Sequence, residues 1–127
     1  MAVPQDFFYS KSHEWVSLDG DVATVGITDF AQSQLSDLTF VELPEVGASF
    51  QQGDEAAVVE SVKAAADVYA PVAGEVIEVN SALEDAPETI NEDAFNAGWL
   101  FKLKIVDESE IDSLLDADSY EEICPQT

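Results

Sequence analysis

Three short β-prone runs, separated by connections of only a few residues, constrain this chain more than any other sequence feature. The runs cover residues 56–62, 67–72 and 74–79; all three contain at least two Val, and the first two also contain Ala. β-branched runs bounded by turn residues are typical of strands, and short connections between such runs favour hairpins. The block therefore predicts a mainly β protein with a hairpin tip near residues 63–66.

Further strands and helices flank this block. The turn signal Asp19-Gly20-Asp21 separates an aromatic, β-prone segment at residues 7–16 from an alternating strand at 21–28. A short helix is predicted from Thr28-Asp29, strands at 39–43 and 99–105, and helical turns at 80–97 and from Asp107 onward. The expected fold is a flattened barrel or sandwich of two small antiparallel sheets, with short helices that include the C-terminus. Because no linker divides the chain, residues 1–127 are expected to form one domain.

Composition excludes several classes of function. The 127 residues hold 4 Lys or Arg and 27 Asp or Glu, which gives a net charge of −23. Such a chain repels phosphate backbones and anionic membrane surfaces, so neither nucleic acid nor membrane is an expected partner. A single cysteine, Cys124, and a single histidine, His13, exclude an internal disulfide and a His or Cys metal cluster. The N-terminus has neither the basic nor the apolar region of a signal peptide, and a cytoplasmic protein of bacterial type is expected.

Lys63 is the most informative residue for function. It is one of four lysines, and it lies between two predicted strands with small neighbours, Ala64-Ala65-Ala66, on its C-terminal side. A lysine at a hairpin tip presents a reachable amine on a flexible four-carbon stem, which suits an enzyme that must modify one amine. A solvated turn charge is the alternative explanation of the same pattern.

The residues around Lys63 resemble the lipoyl/biotinyl carrier domain, and the whole chain resembles the glycine cleavage H-protein family. Val62 and Ala64 stand where biotinyl domains usually carry Met, which argues against biotin. The matching motifs occur in the family's order along nearly all of the chain: Tyr9-Ser10, Ser12-His13-Glu14-Trp15, Val25-Gly26-Ile27-Thr28-Asp29, Ala31-Gln32, Phe40-Val41-Glu42-Leu43-Pro44, Glu60-Ser61-Val62-Lys63-Ala64, Gly98-Trp99 and residues 110–115.

This resemblance implies a carrier that is not itself an enzyme. Lipoate would be joined by an amide to Lys63, with Glu60, Ser61, Val62 and Ala64 recognised by a lipoate ligase or a lipoyl/octanoyl transferase. The arm would take an aminomethyl group from glycine decarboxylase (P-protein) to aminomethyltransferase (T-protein), and dihydrolipoyl dehydrogenase (L-protein) would reoxidise it. Tethering raises the effective concentration of the cargo at each partner.

The resemblance also implies a surface cleft that shelters the loaded arm. The matching positions here are Ser12, Glu14 and Asp67, with Ile27 and Leu35 as an apolar wall. A carboxylate can hold a protonated nitrogen by a charge-assisted hydrogen bond. Phe30 and Gln34 stand where histidine is common in the family, and Gln34 offers only a neutral hydrogen bond there. From the residues alone, Glu14 and Asp67 have the alternative reading of solvated surface carboxylates.

Other functions stay open on the sequence. The chain could be a lipoyl relay that supplies lipoate to other complexes, or an unmodified acidic interaction domain. A stand-alone enzyme is a further alternative, but the sequence shows no grouping of a nucleophile with a general base. No heptad pattern or large apolar stripe is present, so a monomer is expected.

Overall fold

The computed structural model describes residues 6–106 and 108–123, so Asp107 and Cys124 lie outside the described residues. The strands are β1 (Phe8–Tyr9), β2 (Glu14–Asp19), β3 (Val22–Ile27), β4 (Leu38–Glu42), β5 (Ser49–Phe50), β6 (Glu55–Ser61), β7 (Ala65–Tyr69), β8 (Gly74–Val79) and β9 (Phe101–Ile105). The helices are α1 (Asp29–Leu35), α2 (Ala82–Asp85), α3 (Thr89–Glu92) and α4 (Ala117–Ile123), with a 3-10 helix at Glu108–Ser113.

The strands form two antiparallel sheets that share one core. The larger sheet has six strands in the order β1-β2-β3-β9-β8-β5, and the smaller has three in the order β4-β6-β7. Both orders are open at the ends, so the predicted sandwich is confirmed and the barrel alternative is not. Val25, Val41 and Val59 belong to the same buried cluster although they come from different sheets. The inward faces of both sheets thus bury their apolar residues against each other.

A second, aromatic cluster joins the N-terminal strand to the C-terminal helix. Tyr9 stacks on Tyr120 with ring centroids 4.7 Å apart, and Trp15 and Phe30 belong to the same cluster. Tyr9 also exchanges two backbone hydrogen bonds with Leu115, at 2.8 and 2.7 Å. The helical end of the chain is therefore fixed to the strand that leads into β2.

Local predictions for the N-terminal half are confirmed. Gly20 has a φ of 65°, a conformation that glycine adopts without strain, and it turns β2 back into β3. Thr28 caps α1, because its side-chain oxygen accepts a hydrogen bond from the backbone N–H of Ala31 at 3.2 Å. Gly26 leaves room for the Trp15 indole, since a Cβ at this position would come within 2.6 Å of that ring.

The structure differs from the predictions in some local details. The helical segment predicted from Asp107 onward is a 3-10 helix at Glu108–Ser113 followed by the α-helix α4, and the strand Ser49–Phe50 had no clear sequence signal. The loop-like stretch 80–97 contains the two predicted helical turns, and they bury Leu83 and Ile90 completely. Among the described residues no helix is long and apolar enough to cross a membrane.

Candidate functional site

Lys63 lies in the tight turn that joins β6 to β7, where its side chain is exposed. The Ser61 hydroxyl oxygen accepts hydrogen bonds from the backbone N–H groups of Lys63 and Ala64, both at 3.1 Å. The backbone N–H of Ser61 donates to the carbonyl of Ala64 at 2.8 Å. These bonds fix the backbone of the turn, so the Lys63 side chain starts from a defined position. The side chain itself is exposed and can rotate about its four-carbon stem. Within the described ranges, this ammonium group joins no ion pair.

The turn is also held from the side by the segment between α1 and β4. The backbone N–H of Val62 donates to the carbonyl of Asp37 at 3.2 Å, and Ser61 is paired with Leu38. β6 is the central strand of its sheet, with β4 on one side and β7 on the other. The hairpin therefore extends from a supported sheet, and only its tip is exposed.

Glu14 is a buried acidic residue, because only 1% of its surface is exposed. Its Oε1 accepts hydrogen bonds from the hydroxyls of Ser10 and Ser12, and its Oε2 accepts one from the backbone N–H of Tyr69 at 3.2 Å. Burial raises the pKa of Glu14, and these hydrogen bonds oppose the rise. The alternative reading of Glu14 as a surface charge is therefore wrong.

An open cavity of about 310 Å³ lies beside the Glu14 carboxylate. Ser10 and Ser12 contribute its polar wall, and the segment from Tyr69 to Pro71 contributes the opposite side. Lys11, between the two serines, also lines the cavity, and two other parts of the chain supply the remaining lining residues: Gln52, Gly53, Ser113 and Leu114. A carboxylate at such a place can accept a donor from a small polar group and is still shielded from bulk water.

β7 connects the Lys63 turn to the Glu14 cavity. Side chains alternate along a strand, so Ala65, Asp67 and Tyr69 share one face of β7. Ala65 and Asp67 are exposed, whereas Tyr69 lies at the cavity and its backbone bonds Glu14. From Ala65 to Tyr69 the strand advances about 13 Å. A flexible arm attached at Lys63 thus has a short path to Glu14 that passes Asp67.

The structure brings only some of the predicted cleft residues together. Ser12 and Glu14 meet at the cavity, and Asp67 lies on the path to it. Ile27 is paired with Glu14 across β2 and β3, but it is 4% exposed and faces the main core. Leu35 is half-buried at the end of α1 and packs on the main core. Gln34 is exposed on the same helix and does not line the Glu14 cavity.

Sequence reasoning missed two groups that hold the carboxylate. Ser10 makes three hydrogen bonds with Glu14: its hydroxyl donates to Oε1 and accepts from the Glu14 backbone N–H at 3.0 Å, and its own backbone N–H donates to the Glu14 carbonyl at 2.9 Å. The spacing Ser10-x-Ser12-x-Glu14 was the sequence signal that could have identified Ser10. The backbone conformation of His13 brings these three side chains together. With φ of 73°, His13 turns the chain so that both hydroxyls face Glu14. The backbone N–H of Tyr69 carries no sequence signal, because any residue other than proline supplies one.

His13 is anchored from the other side of this turn. Its Nδ1 lies 2.8 Å from the Tyr120 hydroxyl, which is 2.6 Å from the Thr28 hydroxyl. Burial lowers the pKa of His13. His13 therefore links this turn to α4 through the Tyr120 hydroxyl.

Comparison with known proteins decides the family. A family model described as glycine cleavage H-protein matches residues 7–127. The chain belongs to the glycine cleavage H-protein family. It is 54% identical to the glycine cleavage system H protein of Thermus thermophilus over 123 residues, 97% of this chain and 96% of that protein. It is 57% identical to that of Escherichia coli over 120 residues, 94% of this chain and 93% of the relative.

A solved structure agrees with this assignment. The crystal structure of a glycine cleavage system H protein from Mycobacterium marinum superposes with a TM-score of 0.84 at 40% sequence identity. The match covers 94% of this chain and 97% of that one. The protein is therefore a carrier component of the glycine cleavage system and not a catalyst itself.

Proposed function

We propose that this chain carries lipoate in amide linkage on Lys63 and shuttles an aminomethyl group between enzymes of glycine cleavage. The observation that carries the proposal is the placement of an exposed lysine, which joins no ion pair with any described residue, on a hydrogen-bonded hairpin turn in a member of this family. Modification of a lysine requires that its amine leave the protein surface and enter another active site. The geometry of the turn meets that requirement.

The residues present fit such a group. The small side chains of Ala64 and Ala65 leave the approach to Lys63 open, and both are exposed. When bound, lipoate supplies a pair of redox sulfurs on a long arm, which a chain with one cysteine does not supply itself. Glu60, Ser61, Val62 and Ala64 are the residues that we expect a lipoate ligase or a lipoyl/octanoyl transferase to read.

Glu14 is the residue that we propose receives the cargo between visits to partner enzymes. A carboxylate offers about four acceptor positions, and three hydrogen bonds from Ser10, Ser12 and the Tyr69 backbone occupy three of them. The fourth lies on Oε2 and can accept from a protonated amine. That positive charge would stabilise the ionised form of the buried carboxylate, which burial disfavours. Asp67 adds a second negative charge on the path along β7.

The remaining parts of the proposal concern the setting. The partners would be the P-, T- and L-proteins, and with a net charge of −23 we expect basic contact surfaces on them and association that weakens with salt. Since the relatives named above are bacterial, we place the protein in a bacterial cytoplasm. We propose that it acts as one carrier domain and as a monomer.

Intact mass and peptide mapping of protein purified from its native host test the central claim. A single lipoyl increment on Lys63, absent from Lys63→Arg, is the expected result. Lys104→Arg is the matched control, because Lys104 is exposed on β9 in the other sheet. An unmodified Lys63 from lipoate-replete cells, which a lipoate ligase also fails to modify in vitro, would overturn the proposal.

A further inference from the structure

An exposed phenylalanine lies beside the Lys63 hairpin at a β-bulge. Phe40 is 48% exposed on β4. Leu38 pairs with Ser61 and Phe40 with Glu60, so two residues of β4 advance while β6 advances one. A regular strand that buries Leu38 would also bury Phe40, because side chains alternate. The bulge lets Leu38 and Val41 both face the core and leaves Thr39 and Phe40 both outside.

The bulge is stabilised within the sheet. The hydroxyl of Thr39 donates to the carbonyl of Glu60 at 3.3 Å. Bulges next to functional sites commonly re-aim a side chain, and here the re-aimed side chain is a large apolar one. A single exposed apolar residue is ordinary on a protein surface. Here, however, a β-bulge holds an aromatic ring outward close to Lys63. This arrangement indicates a surface that binds another protein.

Phe40 is continuous with the Lys63 turn. Glu60 pairs with Phe40 on one side and with Ala65 on the other, so these three residues form one exposed row across the small sheet. Paired residues in antiparallel strands lie about 4.5–5.5 Å apart. Val62 adds a second exposed apolar side chain directly before Lys63 and is 69% exposed.

Among the described residues next to this row, the charged side chains other than Lys63 are acidic. Asp37 and Glu42 are exposed beside the row, and Glu60 is exposed within it, between Phe40 and Ala65. The exposed apolar side chains of Phe40 and Val62 are thus interspersed with acidic groups, and protein interfaces combine apolar and polar contacts of this kind. The complementary surface is an apolar pocket for the Phe40 ring, bordered by Lys or Arg.

We infer that Phe40 is a docking residue for the enzyme that acylates Lys63; the inference rests on the proposed function. The acylating enzyme must bring the lysine Nζ into its own active site. It therefore closes over the hairpin to within the length of one lysine stem and covers the Phe40 row. Enzymes that act on the far end of the arm work at a distance from the hairpin, and they need not cover Phe40.

The test compares acylation of the unmodified full-length chain and its variants by a lipoate ligase supplied with lipoate and ATP, followed by intact mass. A docking residue belongs to the minority of interface residues whose truncation weakens binding about fivefold or more. Phe40→Ala should accordingly lower kcat/KM for the chain about five- to tenfold, through KM. Phe40→Tyr should restore it. The control Ile77→Ala, which shortens an exposed apolar residue on β8 of the other sheet, should leave the rate unchanged.

The outcomes separate this inference from the proposed function. If the wild-type chain is not acylated, the proposed function fails and the inference fails with it. If the wild type is acylated and Phe40→Ala matches its rate, only the inference fails. Normal acylation of Phe40→Ala with slower turnover of the loaded chain by the glycine-cleavage enzymes would assign the surface to another partner and overturn the inference. Phe40→Thr keeps strand propensity and serves as the second variant, should Phe40→Ala fail to fold.

Discussion

A charged side chain is exposed near one end of β7 and buried near the other. At the N-terminal end the Lys63 ammonium is exposed on a turn whose backbone is fixed by Ser61. At the C-terminal end the Glu14 carboxylate is buried, with three hydrogen bonds to its oxygens. The exposed end supplies access, which a modifying enzyme needs. The buried end supplies shelter and a fixed acceptor, which a reactive cargo needs.

The difference also predicts where stability resides. Removal of an exposed charge changes stability little, because water replaces the lost contacts. Removal of a buried acceptor leaves its donors unsatisfied, which costs about 1–3 kcal/mol for each buried group. The Lys63 end should therefore be sensitive in function and tolerant in folding, whereas the Glu14 end should be sensitive in both.

The largest expected effect is at the exposed end. Lys63→Arg keeps the positive charge and removes the acylable amine, so glycine-dependent activity of the reconstituted system should fall to background. The thermal unfolding midpoint should stay within about 2 °C, as expected for a change of less than about 0.5 kcal/mol. Glycine-dependent activity above background in this variant would break the comparison.

Glu14→Ala should be the most destabilising single change at the buried end. It leaves the Tyr69 N–H and the half-buried Ser10 hydroxyl without their acceptor, whereas the exposed Ser12 hydroxyl can bond water, and we expect a loss of about 1–3 kcal/mol. Urea unfolding measures it. Asp67→Ala is the control, because Asp67 is exposed on the same path and should change stability by no more than about 0.5 kcal/mol. Equal effects of the two variants would mean that Glu14 is solvated.

The pH dependence of stability should carry the sign of a buried carboxyl group. Burial raises the pKa of Glu14 in the folded chain above the ordinary value of 4.5. At a pH between 4.5 and the raised pKa, the folded chain binds more protons than the unfolded chain does. The free energy of unfolding therefore falls as pH rises through this range. This contribution is fully present below pH 4.5 and is lost as pH rises through the folded pKa.

The free energy of unfolding of the wild type minus that of Glu14→Gln isolates this effect. The difference should become more favourable to the wild type as the pH is lowered from 7 toward 4.5. Most of the contribution of His13, whose pKa is lowered by burial, cancels because both chains keep it. A difference that does not change with pH, or that changes in the opposite direction, would contradict the buried state of Glu14.

The smallest expected effect sharpens the comparison at the turn. Ser61→Ala removes the acceptor for the N–H groups of Lys63 and Ala64, which are exposed and can bond water instead. We expect a stability loss of about 0.5–1 kcal/mol and a few-fold slower acylation. Urea unfolding and the ligase assay measure the two. A stability loss as large as that of Glu14→Ala would show that the tip is part of the packed fold.

Much of the fold could be predicted because its signals are local. Asp19-Gly20-Asp21 forms the expected turn, Thr28 caps the expected helix, and the run 74–79 is a strand. The cleft was harder to predict from the sequence, because its residues come from separate segments of the chain. Gln34 and Ile27 were both assigned to it from the resemblance, yet one is exposed away from the Glu14 cavity and the other faces the main core.

The sequence by itself determined the β character, the hairpin that carries Lys63, and the family that the motifs resemble, because each depends on neighbours along the chain. Only the tertiary structure decided that Glu14 is buried and that Tyr69 bonds it across 55 residues. It also decided that a bulge opposite Glu60 turns Phe40 outward. Burial and register depend on which segments meet in space, and a one-residue shift in strand pairing exchanges the inner and outer faces.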